Sequence, residues 1–379
     1  MSIEEKARAL GEIDGAKTLD DVRVFVDRFC AFPDEHCLDA VTLWAAHAHM
    51  VEHFDTSPRL AALSAEPASG KTRVLEVLET LTPNPMFVFG ASVAALFRSM
   101  ANEQITLLFD ECDCVFSKHG KDDQNEDLRA LLNVGYKNGA TIPRCVGNSH
   151  EVQRFSVFAP VALAGLGRLP DTLLSRSIVI RMRRRAPNET VEPFRPRQHG
   201  HEASLLHDRL AAWGAAVGPR AGAAWPTLPP GIVDRLAEVW EPIISIADIA
   251  GGHWPDRARK AAIVFAEAAS DRPASLGIKL LTDIRAAFEA RSAVFTSDLL
   301  STLNEMETSP WGDLRGSPLN SRRLASLLHP YDIAPKDVRI GGTVRKGYTA
   351  EDFHDAWTRY VDPETLKAEV AEGQEVWTW

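Results

Sequence analysis

The chain has 379 residues, 45% of them hydrophobic and 25% charged, which is globular composition and excludes a disordered or fibrous protein. That length exceeds the roughly 250–300 residues at which a single core stops growing, so more than one domain is expected. A formal net charge of -10 opposes non-specific coating of nucleic acid and leaves only local basic faces for such contact. No apolar run approaches the roughly 20 residues of a bilayer span. The opening residues are charged with no signal-peptide core, and the five cysteines are odd in number and scattered. The chain reads as cytoplasmic, with no membrane partner.

Residues 19–54 read as two helices broken at Pro33. Val22, Phe25, Val26 and Phe29 recur at the spacing of one buried helical face, and Leu38, Val41, Trp44 and Ala45 continue it, with Asp34 as N-cap. From residue 59 the pattern changes to short apolar strands, at Arg59–Ser64, Met86–Phe89, Ile105–Phe109, Val157–Leu163 and Ser177–Met182, alternating with helical stretches after Gly70, Gly90 and Asn125. Such alternation predicts a parallel sheet with helices on its faces. Ala186 to Gly200, rich in proline and arginine, reads as a linker, and residues 201–290 as helices only. Two helical stretches, Ser297–Thr308 and Asn320–Leu328, then precede VRIGGTVRKGYTA, where Gly341–Gly342 can turn a hairpin, and a last helix begins near Glu351. The expected domains are N-terminal helices (1–55), an α/β core (56–200), a helical lid (201–292), a winged-helix-like domain (293–362) and an acidic, aromatic tail (363–379).

The strongest local signal is Ala65-Glu66-Pro67-Ala68-Ser69-Gly70-Lys71-Thr72. It satisfies G-x-x-x-x-G-K-[ST] except that Ala65 replaces the first glycine, and it lies between an apolar strand and an amphipathic helix, as a P-loop should. Backbone N–H groups near Gly70 would face phosphate, Lys71 would neutralise the β/γ-phosphates of ATP, and the Thr72 hydroxyl would ligate Mg²⁺. A second signal follows: the strand Ile105–Phe109 ends in Asp110-Glu111, as a Walker B element does. Asp110 would hold the magnesium and Glu111 would activate an attacking water, which favours hydrolysis over phosphotransfer. The acidic pair is expected on a strand neighbouring the P-loop strand. Two segments are basic against the acidic background: Arg181, Arg183, Arg184 and Arg185, and the stretch from Arg322 to Lys346. Arg322, Arg323, Arg339, Arg345 and Lys346 are the candidate DNA contacts of the winged-helix-like domain, although such domains also dock proteins. Trp311, Tyr348 and Trp357 are expected in its core, while Trp377 and Trp379 suit either a docking peptide or an edge strand.

EPASGKTRVLEVLETL, LLFDECDCVF, LRALLNVGYKNGATIPRCVG, LAGLGRLPDTLLSRSIVIRMRRRAP and WEPIISIADIAGGHWPDRARKAA together resemble domain-of-unknown-function family 3631, over roughly residues 19–360. Members of that family accompany primase or helicase genes in phages and integrative elements, and its P-loop part is similar to AAA+ ATPases. The resemblance implies an ATP-hydrolysing, ring-type homo-oligomer acting as a DNA motor, helicase or helicase loader in phage or mobile-element replication. A nucleotide-gated adaptor that recruits a separate helicase or primase is the alternative, and a RecA-like recombination ATPase a further one. By position, Arg176 corresponds to an arginine finger acting on a neighbouring subunit, or else caps its own helix. Arg257 or Arg259 corresponds to a second sensor of the γ-phosphate. The first sensor is a departure: its strand ends in alanine and glycine, and Asn148 and Ser149 are weak substitutes.

Overall fold

The computed structural model describes residues 13–88, 93–112, 123–146, 151–167, 169–270, 276–289, 291–306, 309–314 and 316–361. Asn148, Ser149 and the tail with Trp377 and Trp379 lie outside the described residues. The chain divides into two compact units, Met1–Ser270 and Asp271–Trp379.

In the first unit, helices α1 (Gly15–Phe29) and α2 (Glu35–Ala48) start where Asp14 and Asp34 accept from the N–H groups of Lys17 and Cys37, closing the helix ends. Strands β1 (Arg59–Ser64), β2 (Pro85–Phe87), β3 (Thr106–Phe109), β4 (Thr141–Val146), β5 (Glu151–Ser156), β6 (Val161–Leu166) and β7 (Ser177–Arg181) follow in chain order. Helices α3 (Lys71–Leu81), α4 (Val93–Asn102), α5 (Asp123–Val134) and α6 (Asp171–Leu174) lie between them, and α7 (Pro196–Gly222), α8 (Asp234–Ala250) and α9 (Trp254–Ser270) come after.

One sheet runs in the order β2-β3-β6-β1-β7, and every neighbouring pair in it is parallel. All six residues of β1 are buried, because both faces of the sheet are covered. Leu60, Ala62, Leu108, Ala164 and Ile180 pack in one core with α1, α2, α3 and α7–α9, and Ala61, Leu63, Leu107, Phe109 and Leu163 in a second core with α4–α6. The alternation of adjacent residues between two cores is the period-2 geometry of a strand. Trp44, Trp213, Trp240 and Trp254 are fully buried in the first core, each stabilising it by on the order of 2–3 kcal/mol.

Four expectations are corrected here. The acidic strand β3 does not neighbour β1, since β6 is inserted between them. The fourth strand begins at Val161 and not at Val157, because Pro160 has no N–H for the ladder, although its carbonyl accepts from Leu107. An antiparallel hairpin, β4–β5, stands apart from the main sheet where no strand was expected; Pro143 within it obscures the strand pattern. Helix α7 begins inside the expected linker, with Pro196 in its first turn, where a missing N–H costs nothing.

The second unit contains α10 (Leu276–Phe288), β8 (Ala293–Phe295), α11 (Thr296–Asn304), α12 (Ser321–Leu328), β9 (Lys336–Ile340), β10 (Thr343–Thr349) and α13 (Ala350–Tyr360). The expected lid is therefore divided: α10 buries Leu280, Ile284 and Phe288 in the core of this unit, with Trp311, Tyr348 and Phe353. Trp357 is half-buried and donates from its indole to the Leu281 carbonyl at 2.9 Å. The strands form an antiparallel sheet in the order β8-β10-β9. Gly341 and Gly342, at φ 54° and 83°, make the β9–β10 turn, a conformation that hairpins require and side chains resist. Among the described residues no helix is long and apolar enough to cross a membrane.

His47 on α2 is fully buried, its Nε2 3.1 Å from the Ser57 hydroxyl and its Nδ1 without a partner. Burial, helped by the Arg59 guanidinium, pushes its pKa from the ordinary 6.5 down to about 3. The unfolded chain thus binds the extra proton between those values. This contribution to stability is complete above the unfolded pKa and is lost as pH falls toward the folded one, at about 1.4 kcal/mol per pH unit. The urea midpoint should drop between pH 7.5 and pH 5, and less steeply in His47→Gln; an identical pH slope in the variant would exclude His47 as a cause.

Candidate functional site

β1 ends in the buried Ser64, and the chain turns through Ala65–Gly70 before α3 begins at Lys71. The turn holds itself by side-chain hydroxyls. Ser64 Oγ donates to the Glu66 carbonyl at 2.6 Å, and Lys71 Nζ donates to Ser64 Oγ at 2.6 Å and to Ser69 Oγ at 3.2 Å. Among the described residues the ammonium meets no carboxylate, so no protein anion neutralises it. Ala68 (φ 61°) and Gly70 (φ 83°) are left-handed, and Gly70 is the N-cap of α3. The helix start therefore lacks a side-chain cap, and its first turn lacks an acidic residue. An uncapped helix N-terminus beside a cation is a receptor for an anion. Thr72 is exposed, whereas Arg73 turns away to the Phe194 carbonyl and Glu76.

Because the sheet is parallel, the ends of β1, β3, β6 and β7 all open on the same edge. Phe109 lies level with Leu163, and Leu163 with Ala61, so Asp110 leaves β3 two strands away from the turn, about 10 Å in the hydrogen-bonding direction. Asp110 is half-buried and accepts the Glu111 N–H at 2.9 Å, while Glu111 is exposed at φ 53°. A left-handed glutamate at a strand tip is a costly conformation of the kind that gathers at functional sites. Between the two lies the end of β6, where Gly167 donates its N–H to the Ser64 carbonyl at 2.9 Å. The strand ends in Leu166, with Gly167 after it, and among the described residues presents no polar side chain there.

The turn is also held from the β7 side. The Met182 N–H donates to the Leu63 carbonyl at 2.7 Å, and Arg184 Nε donates to the Pro67 carbonyl at 3.0 Å. Sequence reasoning placed Ala65–Thr72, Asp110 and Glu111 on this edge but missed Ser64 and Arg184. The basic run around Arg184 was visible; which carbonyl it reaches was not.

Other candidates lie elsewhere. Arg176 follows α6 at the amino-terminal end of β7, beside Arg59, which opens β1. It is therefore at the opposite edge of the sheet from Lys71, separated by the length of β1. Its guanidinium donates to the Thr172 carbonyl of its own helix and stacks 4.7 Å from the centre of the Tyr136 ring, as a helix-capping arginine does. Arg59 beside it is wholly buried, bonded to the Ala159 and Leu132 carbonyls, and burial draws its pKa down to about 9, which leaves it charged at neutral pH. The expectation that Arg257 or Arg259 is free to read a phosphate is corrected. Arg257 is bound to the buried Asp39, which Arg23 also holds, and Arg259 is bound to both oxygens of Asp248. Both serve the packing of α9, because a buried carboxylate such as Asp39 must be paired.

In the second unit, Arg322 on α12 and Arg339 on β9 are exposed. Arg323 donates to the Leu314 carbonyl, Arg345 stacks on Phe295, and Lys346 pairs with Asp337 at 3.1 Å.

Two solved structures of the NrS-1 C terminal region are similar in broad architecture. One matches with 10% identity over 87% of this chain and 75% of its own at a TM-score of 0.46, the other with 9% over 84% and 76% at 0.43. An uncharacterized 28.9 kDa protein in the xis 5′ region of Saccharopolyspora erythraea is 45% identical over 181 residues, covering 47% of this chain and 68% of that protein. The family model described as protein of unknown function (DUF3631) matches residues 181–360, a span that begins at the end of β7 and includes neither the Ala65–Thr72 turn nor Asp110. With that match and so close a relative, the chain belongs to the DUF3631 family of proteins of unknown function.

Proposed function

We propose that the turn between β1 and α3 is a P-loop and that the protein hydrolyses ATP. The observation that carries this reading is Lys71, an ammonium held, among the described residues, by hydroxyls alone at the uncapped start of α3, on the sheet edge where β3 ends and Asp110-Glu111 follow. Backbone N–H groups of the turn and Lys71 bind the phosphates. The Thr72 hydroxyl and the Asp110 carboxylate are hard oxygen donors suited to Mg²⁺, which needs few protein ligands because phosphate and water complete its shell. Bound there, the ion supplies charge neutralisation to the phosphates. Glu111 takes the proton of the attacking water. In this reading Arg176 acts on the site of a neighbouring copy in a ring-type oligomer, since its own site lies across the sheet. Its capping bond to Thr172 would then break on assembly.

For the second unit we propose a winged helix that contacts DNA, with α12 and the β9–β10 hairpin carrying it and Arg322 and Arg339 as the exposed phosphate contacts, which pair with no carboxylate among the described residues. The protein then works as a DNA motor or helicase loader in the replication of a phage or mobile element, in the cytoplasm. A second reading, a nucleotide-gated adaptor that hydrolyses slowly and recruits a helicase or primase, is favoured by one observation: β6 ends in Leu166, followed by Gly167, with no polar side chain among the described residues to sense the γ-phosphate. Strand separation on a forked duplex by the purified protein supports the motor; ATP-dependent retention of a helicase without strand separation supports the adaptor.

Lys71→Ala should abolish ATP hydrolysis while leaving the melting temperature unchanged, because the side chain contacts only the turn. Glu111→Gln should keep nucleotide affinity and lower kcat by about 10²–10⁴-fold, the usual worth of a general base; a fully active Glu111→Gln enzyme removes the assigned base. Arg322→Ala and Arg339→Ala should each weaken DNA binding and reduce its salt slope by about 1, and an unchanged slope in both would remove the DNA face.

A further inference from the structure

The basic run after β7 is not used by the chemistry above. Arg181, Arg183, Arg184 and Arg185 are exposed, and among the described residues none forms an ion pair, although the chain carries a net charge of -10. Arg23, Arg28, Arg73, Arg209, Arg257 and Arg259 of the same unit all hold carboxylates. The run instead reaches two proline carbonyls. Arg183 donates to Pro33, in the turn between α1 and α2, at 2.8 Å, and Arg184 Nε donates to Pro67, in the β1–α3 turn, at 3.0 Å. Met182, between Arg181 at the end of β7 and Arg183, is bonded to Leu63, and its side chain stands 3.7 Å from where a Cβ on Gly70 would be. The strap thus ties the β1–α3 turn to the strand end and to the N-terminal helices.

From this geometry we infer that Arg184 is a positioning residue for the phosphate-binding backbone, acting through the peptide between Pro67 and Ala68. The inference rests on the ATP-site reading given above. A trans peptide is planar, with its C=O and N–H on opposite sides. Fixing the Pro67 carbonyl toward Arg184 therefore fixes the Ala68 N–H in the opposite direction, away from the strap. Ala68 also sits at φ 61°, a region that a residue with a Cβ enters only when its surroundings hold it there. Ser64 fixes the preceding carbonyl, Glu66, in the same manner. Two successive carbonyls of the turn are thus pinned, one by the neighbouring Ser64 and one by the distant Arg184. Their pinning sets which way the turn presents its N–H groups before an anion arrives, and pre-organised donors bind more tightly than ones that must first be ordered. The unpaired charge of the strap adds a positive field at the same mouth.

The test is ATP affinity of the full chain, measured by titration calorimetry with Mg²⁺ present, in wild type, Arg184→Ala, Arg184→Lys, Ala68→Gly and the Ala68→Gly/Arg184→Ala double variant. Arg184→Ala should raise the ATP Kd about tenfold, with the melting temperature of the nucleotide-free protein unchanged, and Arg184→Lys should restore part of it. In the Ala68→Gly background, where the left-handed conformation needs no outside support, the loss from Arg184→Ala should shrink to about twofold. Equal Kd in wild type and Arg184→Ala overturns the inference and leaves the ATP site standing. The same tenfold loss in both backgrounds also overturns it, because Arg184 would then act on the ligand and not through the Ala68 peptide. A wild-type protein that binds no ATP removes the site itself, and this inference with it.

Discussion

The cationic end of α3 is the constraint on which the first unit depends. A helix that starts at a glycine has no side-chain cap, and Lys71 adds a full charge to the partial charges of its first N–H groups. Among the described residues two hydroxyls and no carboxylate meet that ammonium. An acidic protein could easily have supplied one. Leaving the charge open keeps the edge of the sheet receptive to an anion from outside, at the cost of left-handed backbone at Ala68 and Glu111. The bonds from Ser64, Gly167, Met182 and Arg184 then hold that edge in shape.

The surrounding architecture makes such an edge affordable. With helices on both faces, the central strands β1, β3 and β6 are buried, and their carboxy-terminal ends open on one edge. The N-terminal helices and α7–α9 share one continuous core against the same face of the sheet, so they are part of its cover and not a separate lid. Several arginines of this cover are committed to carboxylates: Arg23 and Arg257 clasp Asp39, Arg209 pairs with Asp21, and Arg259 with Asp248. Among the described residues the strap after β7 pairs with no carboxylate, and it reaches the turn through Arg184.

The second unit repeats the same logic on a smaller scale. Its core joins leucines to Phe288, Trp311, Tyr348 and Phe353, with the buried Asp283 satisfied by Lys279, Ser309 and the Trp311 indole. Among its basic residues, Arg323, Arg345 and Lys346 are engaged within the unit, which leaves Arg322 and Arg339 as the candidates without an ion pair among the described residues. A basic composition is therefore a poor guide to a basic face, because guanidiniums also cap carbonyls and cover aromatic rings.

Much was determined by local rules acting within a few residues. The turn Ala65–Gly70 lies between a strand and a helix because apolar alternation ends at Ser64 and helical periodicity begins at Lys71; the Asp34 cap, the Gly341–Gly342 turn and the buried Trp311 and Tyr348 follow from equally local preferences. Family membership was legible in the same way, from stretches of residues. Long-range pairing was not. Nothing in the residues of β3 says that β6 will lie between it and β1, and nothing in Arg257 or Arg259 says that Asp39 or Asp248, distant in sequence, will take their charge. Strand order, the division of the expected lid at α10 and the grip of Arg184 on Pro67 were decided only when the whole chain packed. They depend on which apolar faces and unpaired polar groups meet, a property of the assembled core and not of any segment.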